Sequence, residues 1–175
     1  MRIVGGKWAG RHLTSPSDQR VRPTAEPVRD AWLELLEPWL AGARVLDLFA
    51  GTGALGLEAL SRGARYADFV ETRPASLHAL KANVAALHVR EKARIFKKDA
   101  LQFAAAVEPG RYQICFADPP YGSRVLDRVI DIWQANPFST VLTVEHASDH
   151  KLPPGGKRHL FETTSITIYV NEVEP

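Results

Sequence analysis

Two short motifs in the sequence combine residue types that could act on a molecule carrying amino groups. The first is Asp118-Pro-Pro-Tyr121, which follows an apolar segment at 112–117. Neither proline has an N–H, so this loop offers only hydrogen-bond acceptors, the Asp118 carboxylate and the Pro119 carbonyl. Such a pair suits a target with two N–H donors, either an exocyclic amine or an amide. Tyr121 adds a flat face on which a nucleic-acid base could stack.

The second motif is a glycine-rich turn between an apolar segment and a run of helix-forming residues. Gly51, Gly53 and Gly56 have the spacing G-x-G-x-x-G, and Glu71 stands twenty residues after Gly51, where it could bind ribose hydroxyls. The glycines allow backbone to approach a ligand closely. Because S-adenosyl-L-methionine (SAM) is bound by the same features, the motif alone leaves a nicotinamide dinucleotide and SAM both open.

Asp47, four residues before the first glycine, favours SAM. A carboxylate at this position suits the ammonium group of a methionine tail and does not suit a pyrophosphate. The other interpretation of Asp47 is that it only braces the glycine turn.

The elements that position these motifs follow from the hydrophobic pattern. Apolar segments predict seven strands, at 44–49, 65–71, 93–97, 112–117, 140–146, 157–161 and 165–171. Helical patterns separate the first five, and Thr24 is predicted to cap a helix that ends near Pro38 and Gly42. This alternation predicts an α/β fold with a doubly wound, mostly parallel sheet. Ligands bind beyond the carboxyl ends of such strands, so the two motifs should adjoin.

Composition limits the class of protein. A chain of 175 residues with 45% hydrophobic and 24% charged residues fits one soluble domain. No apolar run approaches the ~18 residues of a membrane span, and the first residues lack the apolar core of a signal peptide. The single cysteine, Cys115, excludes an internal disulfide and is typical of a cytoplasmic protein.

The net charge of +2 is unevenly distributed. Six basic and three acidic residues fall within residues 1–30. We therefore predict an N-terminal arm or hairpin at 1–23 that contacts a polyanion, followed by the main domain at 24–175. The alternative is a solvated tail. The basic residues predicted to contact the polyanion are Arg2, Lys7, Arg11, Arg20 and Arg22.

Together these motifs resemble those of the class I SAM-dependent methyltransferases. More narrowly, the chain resembles the bacterial 16S ribosomal RNA guanine-N2 methyltransferases of the RsmD type, over nearly all 175 residues. Residues 53–64 are the most family-specific segment, whereas Asp-Pro-Pro-Tyr is shared with adenine-N6 methyltransferases. The remaining matching pieces are residues 2–8, Arg22-Pro-Thr24, Val28-Arg29, residues 47–52, Glu71 and Asn83.

The resemblance implies a Rossmann-like sheet of strand order 3-2-1-4-5-7-6, with the seventh strand antiparallel. It implies that the methionine end of SAM lies against Asp47, Ala50, Gly51 and Gly53, that Glu71 binds the ribose and that Asp99 reaches the adenine amine. It also places Arg22 and Thr24 near the mouth of the site. The sequence departs from the family pattern at Ala9, Pro27 and Arg73.

The implied reaction is methyl transfer to the exocyclic N2 of a guanine in 16S ribosomal RNA, free or in a small-subunit particle. Asp118 and Pro119 would accept the amine hydrogens, with Tyr121 stacking on the base, and no metal is needed. A monomer without membrane contact is expected. Three alternatives are an adenine-N6 methyltransferase acting on DNA or RNA, a protein-glutamine methyltransferase, which usually has asparagine in place of Asp118, and a non-catalytic nucleotide-binding module.

Overall fold

Seven strands form one sheet in the computed structural model, which describes residues 1–17, 23–120 and 124–172. The strands are β1 (Arg44–Asp47), β2 (Tyr66–Val70), β3 (Ala93–Phe96), β4 (Tyr112–Ala117), β5 (Ser139–His146), β6 (Lys157–Leu160) and β7 (Ser165–Val170). Their order is β3-β2-β1-β4-β5-β7-β6. Strands β1 to β5 are parallel, and β7 runs antiparallel to both β5 and β6. The predicted fold class and strand order are confirmed.

Helices cover both faces of this sheet. They are α1 (Glu26–Leu35), α2 (Glu37–Leu40), α3 (Ala54–Ser61), α4 (Pro74–Ala86), α5 (Ala100–Ala106) and α6 (Val125–Ala135), with short 3₁₀ turns at Gly6–Trp8 and Arg90–Lys92. Buried side chains form two apolar cores, one with α1, α3 and α4 and the other with α5 and α6. Val45 lies in the first core and Leu46 in the second, as expected when successive strand residues face opposite sides.

The start of the helical region differs from the prediction. Thr24 does not cap α1, because the residue at the cap position is Ala25, which makes no side-chain cap hydrogen bond. Pro38 does not end the helix either. It lies in the first turn of α2, where a missing N–H is tolerated, so the predicted single helix is two helices.

Residues 1–13 form the predicted hairpin and pack onto the domain. Ile3 N donates to Arg11 O at 2.9 Å, and Leu13 N donates to Met1 O at 2.9 Å. Ile3 and Leu13 are buried in the same core as α1 and α3. Of the helices within the described ranges, none is long and apolar enough to cross a membrane.

Candidate active site

The glycine turn needs its glycines for two different physical reasons. Gly51 and Gly53 have φ of +56° and +83°, a region that favours glycine. A Cβ on Gly53 would lie 2.4 Å from Leu80, and one on Gly56 would lie 2.4 Å from Phe69, so these two glycines allow α3 to pack closely. A Cβ on Gly51 would meet no atom of the described residues within 4 Å, which leaves space beside Gly51 in which a ligand could lie.

Asp47 ends β1 beside this turn and is only 1% exposed. Its Oδ2 accepts from Gly56 N at 3.2 Å, whereas its buried Oδ1 has no hydrogen-bond partner in the described part of the chain. Burial, with a smaller contribution from the charge of nearby Glu71, raises the pKa of Asp47 to about 7, although the hydrogen bond from Gly56 acts in the opposite direction. One oxygen therefore braces the turn, and the unpaired one fits the ammonium group of SAM.

Glu71 also holds the glycine turn. Its Oε1 accepts from Gly51 N at 3.0 Å, and its Oε2 accepts from the backbone N–H groups of Thr72 and Arg73 at 2.7 and 2.8 Å. A carboxylate has about four acceptor positions, so ribose hydroxyls could still bind. The ribose role stays a prediction.

Asp99 caps α5, a role that the sequence reasoning missed. Its Oδ1 accepts from Gln102 N at 2.9 Å. The Asp99 side chain is exposed at the carboxyl end of β3, and its contact with the SAM adenine stays a prediction.

Asp118 directly follows β4 and lies close to a second carboxylate, Glu145 of β5. The Thr24 hydroxyl joins them, with Oγ1 3.2 Å from Asp118 Oδ2 and 2.9 Å from Glu145 Oε2. Burial raises the pKa of Asp118 well above its usual value, and the charges of Glu145 and Asp47 raise it further. The Thr24 hydrogen bond acts in the opposite direction.

Glu145 and this role of Thr24 were missed from the sequence. A usable signal for Glu145 was its place near the carboxyl end of a strand predicted at 140–146. Pro119 is buried beside Asp118. Tyr121 lies outside the described residues.

One cavity brings the two motifs together, as expected. Its lining includes Ala50 and Gly51 from the glycine turn, Asp118 from the loop after β4, and Thr24. Met1 of the arm also lines it. A cofactor on the glycine turn and a base at Asp118 would therefore occupy adjoining parts of one cavity.

Three basic residues of the arm, Arg2, Lys7 and Arg11, are exposed. Arg2 Nε donates to Glu26 Oε2 at 3.1 Å, and Arg11 donates to Ala86 O at 3.0 Å. The Lys7 ammonium lies 4.6 Å from the centre of the Trp8 ring. Arg20 and Arg22 lie outside the described residues, and RNA contact by any of these side chains stays a prediction.

Buried polar side chains fix the arm to the cofactor-binding half of the site. The Glu58 carboxylate, fully buried in α3, accepts from Val4 N, from Gly5 N at 2.7 Å and from Arg29 Nε at 3.2 Å. Asn83 Nδ2 donates to Thr14 O and to Thr52 O, at 3.0 and 2.9 Å. The arm and the glycine turn therefore share hydrogen-bond partners.

Comparisons with known proteins agree with this geometry. Residues 1–164 match the family model described as Conserved hypothetical protein 95. Ribosomal RNA small subunit methyltransferase D of Escherichia coli K12 is 36% identical over 156 residues, covering 87% of this chain and 78% of the relative. The solved structure of the Escherichia coli protein yhhF, assigned as a methyltransferase, is 32% identical with a TM-score of 0.84, covering 99% of both chains.

A more distant structure shares the fold alone. An RNA methyltransferase from Salinibacter ruber, solved with S-adenosyl-L-homocysteine, is 16% identical with a TM-score of 0.69, covering 88% of this chain and 97% of the other. With the unpaired Asp47 oxygen beside the glycine turn, the family match identifies the cofactor as SAM. The chain belongs to the ribosomal RNA small subunit methyltransferase D family of class I SAM-dependent methyltransferases.

Proposed function

We propose that this enzyme transfers the methyl group of SAM to the exocyclic N2 of a guanine in 16S ribosomal RNA. The observation that carries the proposal is that Asp118 and the glycine turn open onto one cavity. The Escherichia coli relative, named for methylation of small-subunit ribosomal RNA, supports the substrate class. An amide substrate would not account for the basic arm.

On the cofactor side, we assign the methionine end to Asp47, Ala50, Gly51 and Gly53. The unpaired Asp47 Oδ1 would accept from the cofactor ammonium. Glu71 would bind the ribose and Asp99 the adenine amine. When bound, SAM supplies an electrophilic methyl group on a sulfonium.

On the substrate side, guanine N2 is a weak nucleophile because its lone pair is delocalised into the ring. Asp118 and the Pro119 carbonyl would accept its two hydrogens, orient the amine and stabilise the positive charge that develops. Burial raises the pKa of Asp118, which makes its carboxylate a stronger base for the departing proton. Tyr121 would stack on the base.

The arm would bind the RNA backbone through Arg2, Lys7, Arg11, Arg20 and Arg22, with Thr24 at the mouth of the site. Each phosphate contact would add roughly 0.7–0.9 to the magnitude of the slope of log binding constant against log salt concentration. We further propose a cytoplasmic monomer that acts on 16S ribosomal RNA or on a small-subunit particle.

Product analysis tests this function. The protein is incubated with labelled SAM and either 16S ribosomal RNA or small-subunit particles lacking the modification, and the RNA is digested to nucleosides. We expect label in N2-methylguanosine. Label in N6-methyladenosine alone would instead identify the adenine-N6 activity, since Asp118 and Pro119 suit both amines.

A further inference from the structure

Four neighbouring parallel strands all begin at a cationic side chain. Lys92 precedes β3, Arg65 precedes β2, Arg44 is the first residue of β1 and Arg111 precedes β4. Neighbouring strands lie about 4.8 Å apart, so these four residues form a row about 15 Å long at the amino ends of the strands. Because the strands are parallel, this row lies at one end of the strands, and Asp47 and Asp118 lie at the other end.

The row lines a groove with an excess of positive charge. Five cationic side chains line it, including Arg94, against two acidic ones, Asp68 and Glu91. Asp68 is already engaged, since Arg94 donates to both of its oxygens at 2.9 and 2.8 Å and the Tyr112 hydroxyl donates at 2.7 Å. Among the residues that the structure describes, Glu91 is therefore the only other acid in the groove lining to offset the four cations of the row.

Protection of a sheet edge does not account for this charge. Cationic side chains on edge strands discourage pairing with other chains, and that explains Lys92 and Arg94 at the edge strand β3. Arg44, Arg65 and Arg111 stand at the starts of β1, β2 and β4, which are all interior strands. Clustered like charges repel each other, so an anionic ligand is the simplest reason for this row.

Aromatic rings accompany two of these arginines. The Arg65 guanidinium lies 5.1 Å from the centre of the Tyr66 ring, and that of Arg111 lies 5.5 Å from the Tyr112 ring centre. Tyr66 is among the few large hydrophobic residues that remain exposed, at 41%. Tyr112, in contrast, is buried, so Tyr66 is the ring in the groove lining that a base could contact. Arginine beside an accessible aromatic ring is typical of surfaces that bind nucleic-acid backbone and bases.

We propose that this amino-end groove, lined by Arg44, Arg65, Lys92, Arg94 and Arg111, binds the phosphate backbone of RNA. The proposal rests on the proposed function and adds a second contact with the same RNA molecule. The six residues of β4 separate the groove from Asp118 by about 20 Å. A short oligonucleotide in the active site does not reach the groove, whereas a long folded RNA does.

The test compares two double variants. Arg65→Ala with Arg111→Ala removes two groove cations, and Lys151→Ala with Lys157→Ala removes two exposed cations outside the groove. Binding to full-length 16S ribosomal RNA is measured at salt concentrations from about 50 to about 300 mM, a range over which the screening of charges changes strongly. The salt slope is the slope of the logarithm of the binding constant against the logarithm of the salt concentration. We expect the groove variant to have a salt slope that is smaller in magnitude by roughly 0.7–0.9 for each phosphate contact removed. The control should keep the wild-type slope.

Two further measurements identify what a negative result means. Both variants should bind S-adenosylhomocysteine as the wild type does, and both should bind a short guanine-containing oligonucleotide equally well. An unchanged salt slope for the groove variant, or equal losses in the two variants, would overturn the groove proposal. If wild-type protein itself neither bound nor methylated the RNA, the proposed function would have failed first.

Discussion

The two ends of the parallel strands carry opposite kinds of ionisable side chain, cations at the amino ends and acids at the carboxyl ends. Strand β1 begins at Arg44 and ends at Asp47, and β4 follows Arg111 and precedes Asp118. The acids at the carboxyl ends have pKa values raised by burial, whereas the cations at the amino ends line an open groove. On the proposed function, the same sheet separates methyl transfer to one base, at its carboxyl ends, from binding of the RNA backbone, at its amino ends.

The acids and the cations differ in burial, and this difference suits them to different kinds of ligand contact. A buried carboxylate without full hydrogen bonding is costly to the folded protein, so the unpaired Asp47 oxygen makes sense where a ligand completes its interactions. The pKa of Asp118, raised well above its usual value, is likewise typical of a functional carboxyl group. Cations in an open groove remain hydrated and charged. They suit long-range attraction, which salt weakens.

The largest expected effect is on stability, and it concerns Glu58, a buried acid of α3 that lies at neither end of the strands. Glu58→Gln is expected to lower the free energy of unfolding by about 3–5 kcal/mol, because buried Arg29 loses its ionic partner. Urea unfolding measures this loss, and Glu34→Gln, on the exposed side of α1, should change stability by less than about 0.5 kcal/mol. Equal free energies of unfolding for the two variants would show that the Glu58 carboxylate does not stabilise the fold through Arg29.

Asp47→Asn is expected to weaken binding of S-adenosylhomocysteine by about 1.5–3 kcal/mol, because a charged hydrogen bond to the ligand ammonium is lost. Calorimetry gives the affinity, and Asp149→Asn, an exposed change away from the site, is the matched control. Wild-type affinity in Asp47→Asn would leave Asp47 with only its bracing role on Gly56.

The raised pKa of Asp47 also predicts a pH dependence. Below its pKa of about 7 the carboxyl is protonated in the cofactor-free protein, so ligand binding must release a proton. Affinity for S-adenosylhomocysteine should therefore rise with pH, by up to about tenfold per unit, and level off above about 7. The stability of the cofactor-free protein should fall over the same range, since the unfolded chain loses this proton at lower pH. A pH-independent affinity below neutrality would contradict the assignment.

A smaller effect is expected at the bridge between the two carboxylates. Thr24→Val removes the hydroxyl near Asp118 and Glu145, which should slow turnover about fivefold, the equivalent of ~1 kcal/mol. The pKa of Asp118 should rise further without this donor, so the pH–rate profile should move to higher pH. Thr163→Val, in an exposed turn, is the control. An unmoved profile would show that Thr24 does not act on Asp118.

Much of the carboxyl-end site was predictable because an acid or glycine directly after an apolar segment marks a strand end. The glycine turn and Asp118 were found in this way, and Asp47 was found from its position four residues before the first glycine. Thr24 was misassigned because a threonine before a proline-containing helix start looks like a cap. Its partner Glu145 is 121 residues away, and only the folded sheet brings them together.

The sequence analysis also missed the buried role of Glu58 and the row of cations at the amino ends of the strands, for two different reasons. Glu58 stands among leucines and alanines of α3 and looked like an ordinary helix former, since its burial depends on Arg29 and on the packed arm. Arg44, Arg65 and Arg111 are far apart in sequence. The rule that aligns the carboxyl ends of parallel strands also aligns their starts, so this row was predictable.

The most direct test of the account is the rate of methyl transfer by Asp118→Ala at saturating SAM, on RNA that the wild type methylates. Loss of one group that stabilises charge on the reacting amine should slow a single turnover by roughly 10²–10³. Affinity for S-adenosylhomocysteine should stay at the wild-type value, because the proposed cofactor contacts are those of Asp47 and the glycine turn. A variant that transfers methyl at close to the wild-type rate would contradict the assignment of Asp118 as the group that binds and activates the base.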